Sequence, residues 1–290
     1  MSKRSGRTSP LARAAAQCAT GAGVVRYIWG HPSNDGRRLR ALKRAAFYQV
    51  SSRLLGRRVV AQLGERSRLW VDPHRTAASM VLYANPPDRP EMLTWRRALG
   101  DGGLFIDVGA NVGTYTLWAA EHGAEVIALE PAADTFALLR ENITLNRYQV
   151  TALQVAAGDH CGTARFTAGL DAGNSLAADG SAMTTLVTID SLIGDRSVAG
   201  MKVDVEGFEF DVLRGAVRAL TEHRIGLIQV EWNHASLFAL GQDRRPIAQL
   251  LADYGYQLFR PDATGRLAPV ADLGFGADVF AIPEPEGTLS

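Results

Sequence analysis

The sequence has little cysteine and no long apolar run. Its two cysteines, Cys18 and Cys161, show no paired pattern, which excludes a disulfide framework and a cysteine-based zinc site. No apolar stretch approaches the ~18 residues of a transmembrane helix. The alanine-rich segment after Lys3, Arg4 and Arg7 lacks the large apolar residues of a secretory signal. Together these absences predict a protein of the reducing cytoplasm.

The net charge is also small, at +1, but the first third of the chain and the remainder differ strongly in charge. Residues 1–100 carry 19 Lys and Arg against 5 Asp and Glu, whereas residues 101–290 carry 12 against 25. This division indicates that the basic part either docks on the acidic body or meets an anionic partner. That partner could be a nucleotide-linked substrate, a membrane surface or a nucleic acid.

The basic first third predicts an extension ahead of a larger domain. Residues 37–55 are expected to form a basic amphipathic helix, and residues 58–71 a hairpin. Either the apolar face of the helix packs on the protein's own domain, or residues 37–58 contact an anionic membrane. We divide the chain into an extension or cap, residues 1–95, and a domain, residues 96–290. The apolar face of the helix comprises Leu39, Leu42, Ala46, Phe47, Val50 and Leu54.

A glycine turn joins a buried strand to a helix near residue 110. Residues 104–108 form a short apolar run typical of a strand covered on both faces, and residues 114–121 have helical composition. Between them, Gly109 and Gly113 allow positive φ and a close approach of the backbone to a ligand. A turn of this kind at a helix N-terminus is expected to offer free N–H groups to a polar, usually anionic, group.

An acidic residue follows the next predicted strand. Residues 126–129 end in Glu130 and Pro131, about twenty residues past the turn, where an acid accepts hydrogen bonds from a ribose diol. The turn and the acid together predict an adenosine-containing cofactor. A third strand, at about residues 152–156, is expected to end beside the adenine, at Ala157 and Asp159.

Lysine and two acids alternate with apolar residues between positions 201 and 206. Lys202, Asp204 and Glu206 would share one face of a strand. Because unpaired buried charge is very unfavourable, these groups are either paired or open onto a cleft. Open α/β sheets bind ligands at the carboxyl ends of their strands, which places Asp204 and Glu206 in the crevice of Gly109 and Glu130. A structural Lys202–Asp204 ion pair is the alternative interpretation, and it is compatible with a functional Glu206.

Polar residues also follow the strand predicted at residues 226–230. Glu231 and His234 come directly after it and are candidates for the same edge. A histidine near a strand end can equally be a satisfied surface or core residue. Strands at residues 256–260 and 277–282 predict an antiparallel hairpin at the end of the sheet.

Three motifs carry a resemblance to a known family. The run D-V-G-A-N-V-G, residues 107–113, resembles the first motif of class I S-adenosylmethionine-dependent methyltransferases and lacks the G-x-G-x-x-G of NAD-type turns. Together with K-V-D-V-E-G-F-E, residues 202–209, and V-L-R-G-A, residues 212–216, it resembles the FkbM family of methyltransferases. The resemblance covers residues 100–235 and leaves residues 1–95 outside it.

This resemblance implies an α/β, Rossmann-like class I methyltransferase fold. The expected sheet is mostly parallel and seven-stranded, with a terminal antiparallel hairpin and an N-terminal helical and hairpin extension. The implied cofactor is S-adenosylmethionine, and the implied reaction is O-methylation of a hydroxyl on a sugar, glycolipid or natural product. The turn would wrap the amino-acid end of the cofactor and the acid would hold its ribose. The candidate cofactor residues are Asp107, Gly109, Ala110, Asn111, Gly113, Glu130, Pro131, Ala157 and Asp159.

Methyl transfer to an alcohol gains from a general base, because a neutral hydroxyl is a poor nucleophile. Lys202 would orient a carboxylate or steady the developing charge. Adjacent carboxylates could also hold Mg²⁺ and so bind an acceptor diol. The candidate catalytic residues are Asp204, Glu206, Glu231, His234 and Lys202.

Three other functions fit parts of the sequence. A nucleic-acid methyltransferase would grip phosphates with the basic first third. An NAD-dependent sugar enzyme is disfavoured by the missing glycine motif, and a non-catalytic nucleotide-binding module by the joint presence of Asp107, Glu130 and the K-x-D-x-E-G block. We therefore expect a small-molecule or glycan hydroxyl acceptor rather than a nucleic acid.

Overall fold

The computed structural model describes residues 21–55, 58–71, 76–166, 182–232, 243–271, 274 and 276–284. Its N-terminal part combines helices with one hairpin. In chain order these elements are α1 (Gly21–Gly30), a 3-10 turn (Pro32–Asn34), α2 (Arg38–Leu55), β1 (Val59–Leu63), β2 (Ser67–Val71), α3 (Thr76–Tyr83) and α4 (Arg89–Ala98).

From residue 104 onward, strands and helices alternate. The elements are β3 (Leu104–Val108), α5 (Thr114–Glu121), β4 (Glu125–Leu129), α6 (Ala133–Asn146), β5 (Val150–Leu153), β6 (Val155–Ala157), β7 (Gly162–Phe166), β8 (Ala182–Val187), α7 (Ile189–Ile193), β9 (Gly200–Val203), α8 (Glu209–Arg214), α9 (Val217–Thr221), β10 (Ile228–Val230), α10 (Arg245–Asp253), β11 (Tyr256–Pro261), β12 (Leu267–Pro269) and β13 (Val279–Pro283).

The main sheet has the order β12-β11-β13-β10-β9-β3-β4-β5. The strands from β10 to β5 run parallel, and β13, β11 and β12 each join antiparallel to their neighbours. The predicted α/β fold, with a mostly parallel sheet and an antiparallel end, is confirmed. The predicted count of seven strands is wrong by one, because β12 pairs with β11 and adds an eighth strand at the edge.

The strand order reverses between β3 and β9. The chain runs outward from β3 through β4 to β5 and then returns to place β9 on the other side of β3. In open α/β sheets, the crevice at the carboxyl ends of the strands beside such a reversal is where ligands bind. The fold therefore directs attention to the residues that follow β3, β4, β9 and β10.

The predicted third strand is two strands in different sheets. β5 belongs to the main sheet, whereas β6 pairs with β8, which pairs antiparallel with β7. The chain leaves the main sheet after Leu153, whose carbonyl accepts a hydrogen bond from the Glu130 amide at 3.1 Å. The polar loop that connects β7 to β8 lies outside the described residues.

Two short helices, α8 and α9, follow β9. Gly215 ends α8 where the chain passes so close to Gly158 that an added Cβ would lie 2.0 Å from the Gly158 carbonyl oxygen. A glycine at this point both permits that approach and weakens helix continuation.

Helix α4 packs on one face of the main sheet. Its Trp95 is fully buried, with its ring centroid 4.8 Å from that of Phe105 on β3 and 5.7 Å from that of Phe280 on β13. A Cβ at Gly200 would lie only 2.2 Å from the Trp95 ring, so α4 rests directly on β9. The division of the chain near residue 95 stays a prediction.

Helix α2 does not bury the face that its sequence pattern predicts. Leu39 and Phe47 are each 69% exposed and Val50 is 56% exposed, whereas Ala41, Ala45 and Tyr48 are buried. The helix packs against α3, where Arg44 donates a hydrogen bond to the Leu82 carbonyl at 2.6 Å. The apolar face expected to pack on the protein's own domain is therefore partly exposed. Within the described ranges, no helix is both long and apolar enough to cross a membrane.

Candidate active site

The glycine turn after β3 touches the turn after β9. Gly109 has φ +80°, and a Cβ there would lie 1.9 Å from the Asp204 carbonyl oxygen. Gly113 has φ +95°, and a Cβ there would lie 2.7 Å from Leu139 Cδ1. Both positions require glycine, for backbone conformation and for space. The two motifs recognised in the sequence thus meet at one edge of the sheet.

The backbone amides of this turn are bonded within the protein. Gly109 N and Ala110 N donate to the Leu129 carbonyl at 3.0 and 2.9 Å, and Asn111 N donates to Glu130 Oε2 at 3.0 Å. Val112 N donates to Asn111 Oδ1 at 2.7 Å. The expectation of free N–H groups in the turn is therefore wrong at these positions, because the turn folds over the end of β4.

Glu130 lies under the turn as predicted by its position after β4. It is 6% exposed, and its Oε1 accepts a hydrogen bond from Ala132 N at 2.9 Å while Oε2 accepts from Asn111 N. A carboxylate accepts up to about four hydrogen bonds. These backbone contacts are thus compatible with acceptance from a ribose diol, and they orient the carboxylate beside the turn. Pro131 follows directly and is half-buried.

Asp107, the first residue of the glycine motif, has one satisfied carboxylate oxygen. Its Oδ2 accepts a hydrogen bond from Thr116 Oγ1 at 2.6 Å. Its Oδ1 has no hydrogen-bond partner in the described part of the chain, although the residue is only 1% exposed. Burial raises the pKa of Asp107. A buried acceptor without a donor fits a site that a ligand donor completes.

The two predicted adenine-side residues lie at the end of β6. Ala157 is buried, and Asp159 is on the surface, where it pairs with His160 Nδ1 at 2.7 Å and with Arg214 Nη1 at 3.2 Å. The hydrogen bond from His160 lowers the pKa of Asp159. Because β6 belongs to the small sheet, these residues come from a different sheet than Glu130, and their role stays a prediction.

The structure brings together three residues predicted for catalysis. Asp204, Glu206 and Glu231 each offer a carboxylate oxygen, and these oxygens lie within 4.8 Å of one another. β9 and β10 are adjacent and parallel, with Lys202 in register with Gln229, so the residues two positions further on lie side by side. His234 lies outside the described residues.

Lys202 forms an ion pair with Asp204, which was the alternative interpretation of the sequence. Its Nζ lies 2.7 Å from Asp204 Oδ2 and 4.6 Å from the centroid of the Tyr115 ring. Burial lowers the pKa of Lys202, but Asp204 and Asp107 outweigh this effect, so its pKa is raised above the ordinary value. Lys202 is therefore charged, and it holds Asp204 in a fixed orientation.

A strained turn carries Glu206. Its φ is +52°, unusual for a residue with a side chain. Glu209 Oε1 accepts hydrogen bonds from the amides on either side, Val205 N at 3.2 Å and Gly207 N at 2.9 Å. Glu209 in turn forms a buried ion pair with Arg244. The last glutamate of the K-x-D-x-E-G-x-E motif thus holds the turn that presents Glu206, a role that the spacing alone did not reveal.

Burial makes these acids hold their protons tightly. It raises the pKa of Glu206 to about 8, with Asp204 and Glu209 adding to the effect. Burial also raises the pKa of Glu231 well above its ordinary value, with Asp204 and Glu206 contributing. Carboxyl groups this close cannot all be ionised at neutral pH. Glu206 is therefore able to exchange a proton near neutrality.

A second polar group, absent from the sequence predictions, adjoins Lys202. Tyr115 Oη donates a hydrogen bond to Asp88 Oδ2 at 3.2 Å, and Gln229 Nε2 donates to Asp278 Oδ2 at 2.8 Å and to Tyr115 Oη at 3.4 Å. Burial raises the pKa of Asp88 to about 7 and that of Asp278 to about 6. In the sequence, a polar Gln229 inside an otherwise apolar strand is the feature that could have indicated this second polar group.

Most of this edge lies in a region that is similar to known proteins. A family described as the methyltransferase FkbM domain matches residues 107–258. The chain is 30% identical over 156 residues to the hexuronic acid methyltransferase AglP of Haloferax volcanii, covering 52% of this chain and 62% of that protein. It is 31% identical over 157 residues to the 31-O-demethyl-FK506 methyltransferase FkbM of Streptomyces tacrolimicus, covering 40% of this chain and 60% of that protein.

The chain thus spans less than two thirds of the length of these curated relatives. Among solved structures, it is similar to a ribosomal protein L11 methylase from Lactobacillus delbrueckii subsp. bulgaricus, with a TM-score of 0.40 and 13% identity. That alignment covers 77% of this chain and 96% of the other.

Proposed function

The chain belongs to the FkbM methyltransferase family, and we propose that it transfers a methyl group from S-adenosylmethionine to a hydroxyl of a sugar, glycolipid or natural product. The observation that carries the proposal is the contact between the glycine turn after β3 and the carboxylate group after β9 and β10. By their names, the two curated relatives methylate a hexuronic acid and 31-O-demethyl-FK506, which supports a sugar or natural product as acceptor. The 31-O position in the second name supports a hydroxyl as the methylated group.

On the cofactor side, Glu130 would accept hydrogen bonds from the ribose and the orphaned Asp107 Oδ1 would accept one from the amino-acid end. Bound S-adenosylmethionine supplies a methyl group activated by its sulfonium. The backbone of the turn, through Gly109 and Gly113, would let the cofactor approach closely. Ala110, Asn111, Pro131, Ala157 and Asp159 complete the proposed cofactor residues.

On the acceptor side, we assign the general base to Glu206. The acceptor hydroxyl would give its proton to the Glu206 carboxylate as its oxygen forms the bond to the methyl carbon and the bond from that carbon to sulfur breaks. A base with a pKa near the working pH serves such a step best, and the pKa of Glu206 is about 8. Lys202 would hold Asp204 aimed at the acceptor through their ion pair, so that much of the rate comes from positioning.

The experiment that tests this function is methyl transfer from radiolabelled S-adenosylmethionine to a panel of glycosides, glycolipids and polyketide alcohols. We expect transfer to at least one acceptor class, with no transfer when both Asp204→Asn and Glu206→Gln are introduced. Full turnover by these variants while folded would contradict the base assignment. A protein that neither binds S-adenosylhomocysteine nor transfers a methyl group would contradict the function.

The magnesium prediction stays a prediction. Asp204, Glu206 and Glu231 have the donor chemistry that Mg²⁺ prefers, and their oxygens lie close enough together. If a metal binds the acceptor diol, chelation with EDTA abolishes transfer and added Mg²⁺ restores it. Unchanged activity in EDTA would contradict a metal-dependent mechanism.

We propose separately that residues 37–58 contact an anionic membrane. The exposure of Leu39, Phe47 and Val50 supports this proposal, as do Arg40 and Lys43 on the same helix. A helix of this composition binds a bilayer through apolar insertion and attraction to anionic lipid. The protein should float with vesicles containing phosphatidylglycerol and not with phosphatidylcholine alone. A Phe47→Ser, Val50→Ser variant that floats equally well would contradict the contact.

A further inference from the structure

Five acids form what we call the acidic wall of the site: Asp88, Asp204, Glu206, Glu231 and Asp278. We propose that this wall selects an uncharged or amine-bearing hydroxyl acceptor, and that Asp88 is a specificity-determining residue that excludes carboxylated acceptors. The inference rests on the proposed methyltransferase function and names the substrate class of the same site.

The sheet itself assembles four of the five acids. Asp204 and Glu206 follow β9, and Glu231 follows β10. β13 runs antiparallel to β10 with Val230 opposite Val279, so Asp278, just before Val279, lies opposite Glu231. Asp278 is fixed there by accepting hydrogen bonds from Gln229 Nε2 at 2.8 Å and from Trp232 N at 3.3 Å. The carboxyl ends of β9 and β10 thus face the beginning of β13.

Asp88 joins the wall from the N-terminal part of the chain. It directly precedes α4, which is seated on the sheet by Trp95. Tyr115 donates a hydrogen bond to Asp88, and its ring lies against Lys202. Besides burial, Asp278 and Asp204 raise the pKa of Asp88, and Lys202 lowers it, as expected for groups in one site. Asp88 nevertheless keeps partial exposure.

In the described residues, the two cations that act on the wall are each held in an ion pair. In the part of the chain that the structure describes, Lys202 and Arg244 act on the pKa values of these acids. Lys202 is bound to Asp204, with its side chain 5% exposed, and Arg244 is bound to Glu209, with its side chain 2% exposed. An anionic acceptor would therefore meet carboxyl groups and two buried cations that are already engaged.

Electrostatics then decides the acceptor class. Above about pH 7, Asp88 and Asp278 are mostly ionised, because their raised pKa values are about 7 and about 6. Like charges repel strongly where the dielectric is low, and specificity is commonly achieved by such a repulsive element. Hydroxyl and ammonium groups are donors, which carboxyl oxygens accept. The relative AglP is named for a hexuronic acid, so this chain is expected to differ from it in acceptor charge.

The test compares matched sugars on the protein loaded with S-adenosylhomocysteine. Methyl glucoside, methyl glucuronide and methyl glucosaminide differ mainly in charge. Their binding is measured by saturation-transfer NMR at pH 8, where Asp88 is mostly ionised, with and without EDTA. Methyl transfer to each is measured in parallel. We expect the glucuronide to bind at least about tenfold more weakly than the glucoside. Asp88→Asn should reduce the ratio of glucoside affinity to glucuronide affinity by about threefold or more.

The control is Asp195→Asn, which removes the same charge from a side chain that is 93% exposed and lies before β9. It should leave the ratio unchanged. Asp278→Asn, on the opposite part of the wall, is the second variant and should also narrow the ratio if Asp88→Asn fails to fold.

A glucuronide that binds as well as the glucoside overturns the acceptor class. Equal ratios in the wild type and the Asp88→Asn and Asp278→Asn variants overturn the role of the wall. If S-adenosylhomocysteine binds but none of the sugars does, the inference fails while the cofactor assignment survives. If S-adenosylhomocysteine itself does not bind, the failure belongs to the proposed function.

Discussion

On the β3–β4 side of the sheet edge the candidate site is made from backbone, whereas on the β9–β10 side it is made from side chains. The first side comes from one continuous stretch, and its contacts are glycine conformations and amides donating to Leu129 and Glu130. The second side collects Asp88, Glu206 and Asp278 from distant parts of the chain. The cofactor side should therefore fail when its shape changes, and the acceptor side when its charge changes.

The largest effect should come from Glu206→Gln. The variant keeps the volume of the side chain but cannot accept the acceptor's proton, so kcat should fall by about 10²–10⁴-fold. The wild-type kcat should rise with pH through an apparent pKa near 8, since Glu206 must lose its proton to act as a base. Steady-state kinetics between pH 6 and 9 measure both quantities.

The matched control is Glu222→Gln, on the surface beside Arg224. It should change kcat little. A Glu206→Gln variant with unchanged kcat and pH profile would show that another group takes the proton.

The next largest effect is expected on the free energy of unfolding, from a substitution that changes the shape of the site where the two sides touch. Gly109→Ala places a Cβ 1.9 Å from the Asp204 carbonyl oxygen, at φ +80°. We expect the free energy of unfolding to fall by about 3 kcal/mol or more, from clash and backbone strain together. Gly123→Ala has a similar φ, +93°, but no atom within 4 Å, and should lose only about 1 kcal/mol. Equal losses, measured by urea unfolding, would contradict the close contact.

A smaller effect is expected on the cofactor side from Glu130→Ala. Removing the side chain that would accept hydrogen bonds from the ribose diol should weaken S-adenosylhomocysteine binding by about tenfold or more. Glu125→Ala changes the exposed first residue of the same strand, which pairs with Arg196. Calorimetry should show unchanged affinity for that control. Weakening in Glu125→Ala equal to that in Glu130→Ala would mean that the loss reflects the strand and not the ribose.

The last prediction concerns how the stability of the fold depends on pH, and it is tested with Asp88→Asn. The pKa of Asp88 is raised from 3.8 to about 7, so the folded protein holds a proton that the unfolded chain has lost. Stability must therefore decrease as pH rises from 3.8 through about 7, and change no further above it. Between pH 5 and 8 the wild type should lose about 2.6 kcal/mol of unfolding free energy relative to Asp88→Asn. Denaturant unfolding measures the unfolding free energy of both proteins at each pH. The same pH dependence in the wild type and in Asp88→Asn would contradict the burial of this acid.

The cofactor side could be predicted from sequence because local backbone geometry leaves marks in the residues. Gly109 and Gly113 occur where positive φ is required, and Glu130 follows its strand at the expected spacing. The amides of the turn were still misjudged, because their partner, the Leu129 carbonyl, depends on how the turn folds over β4.

The acceptor side could be predicted only as far as each strand end shows its own acids. Asp204, Glu206 and Glu231 were found in this way, since β9 and β10 are neighbours. Asp278 was missed because it belongs to an antiparallel strand whose beginning, not its end, lies at this edge. Asp88 was missed because its position depends on α4 docking through Trp95.

The exposed face of α2 illustrates the same limit. Periodicity placed Leu39, Phe47 and Val50 on one apolar face, expected either to pack or to contact a membrane. The structure instead buries the smaller residues Ala41 and Ala45 of the same helix. A pattern of apolar residues shows which face differs from the rest. The face that is buried depends on the neighbour.

The most direct test is calorimetric titration of S-adenosylhomocysteine into the wild type, Glu130→Ala and Glu206→Gln. If the edge is a methyltransferase site with separate cofactor and acceptor sides, the wild type and Glu206→Gln bind with the same Kd and Glu130→Ala binds at least about tenfold more weakly. Absence of binding by the folded wild type, or equal binding by Glu130→Ala, would contradict the account.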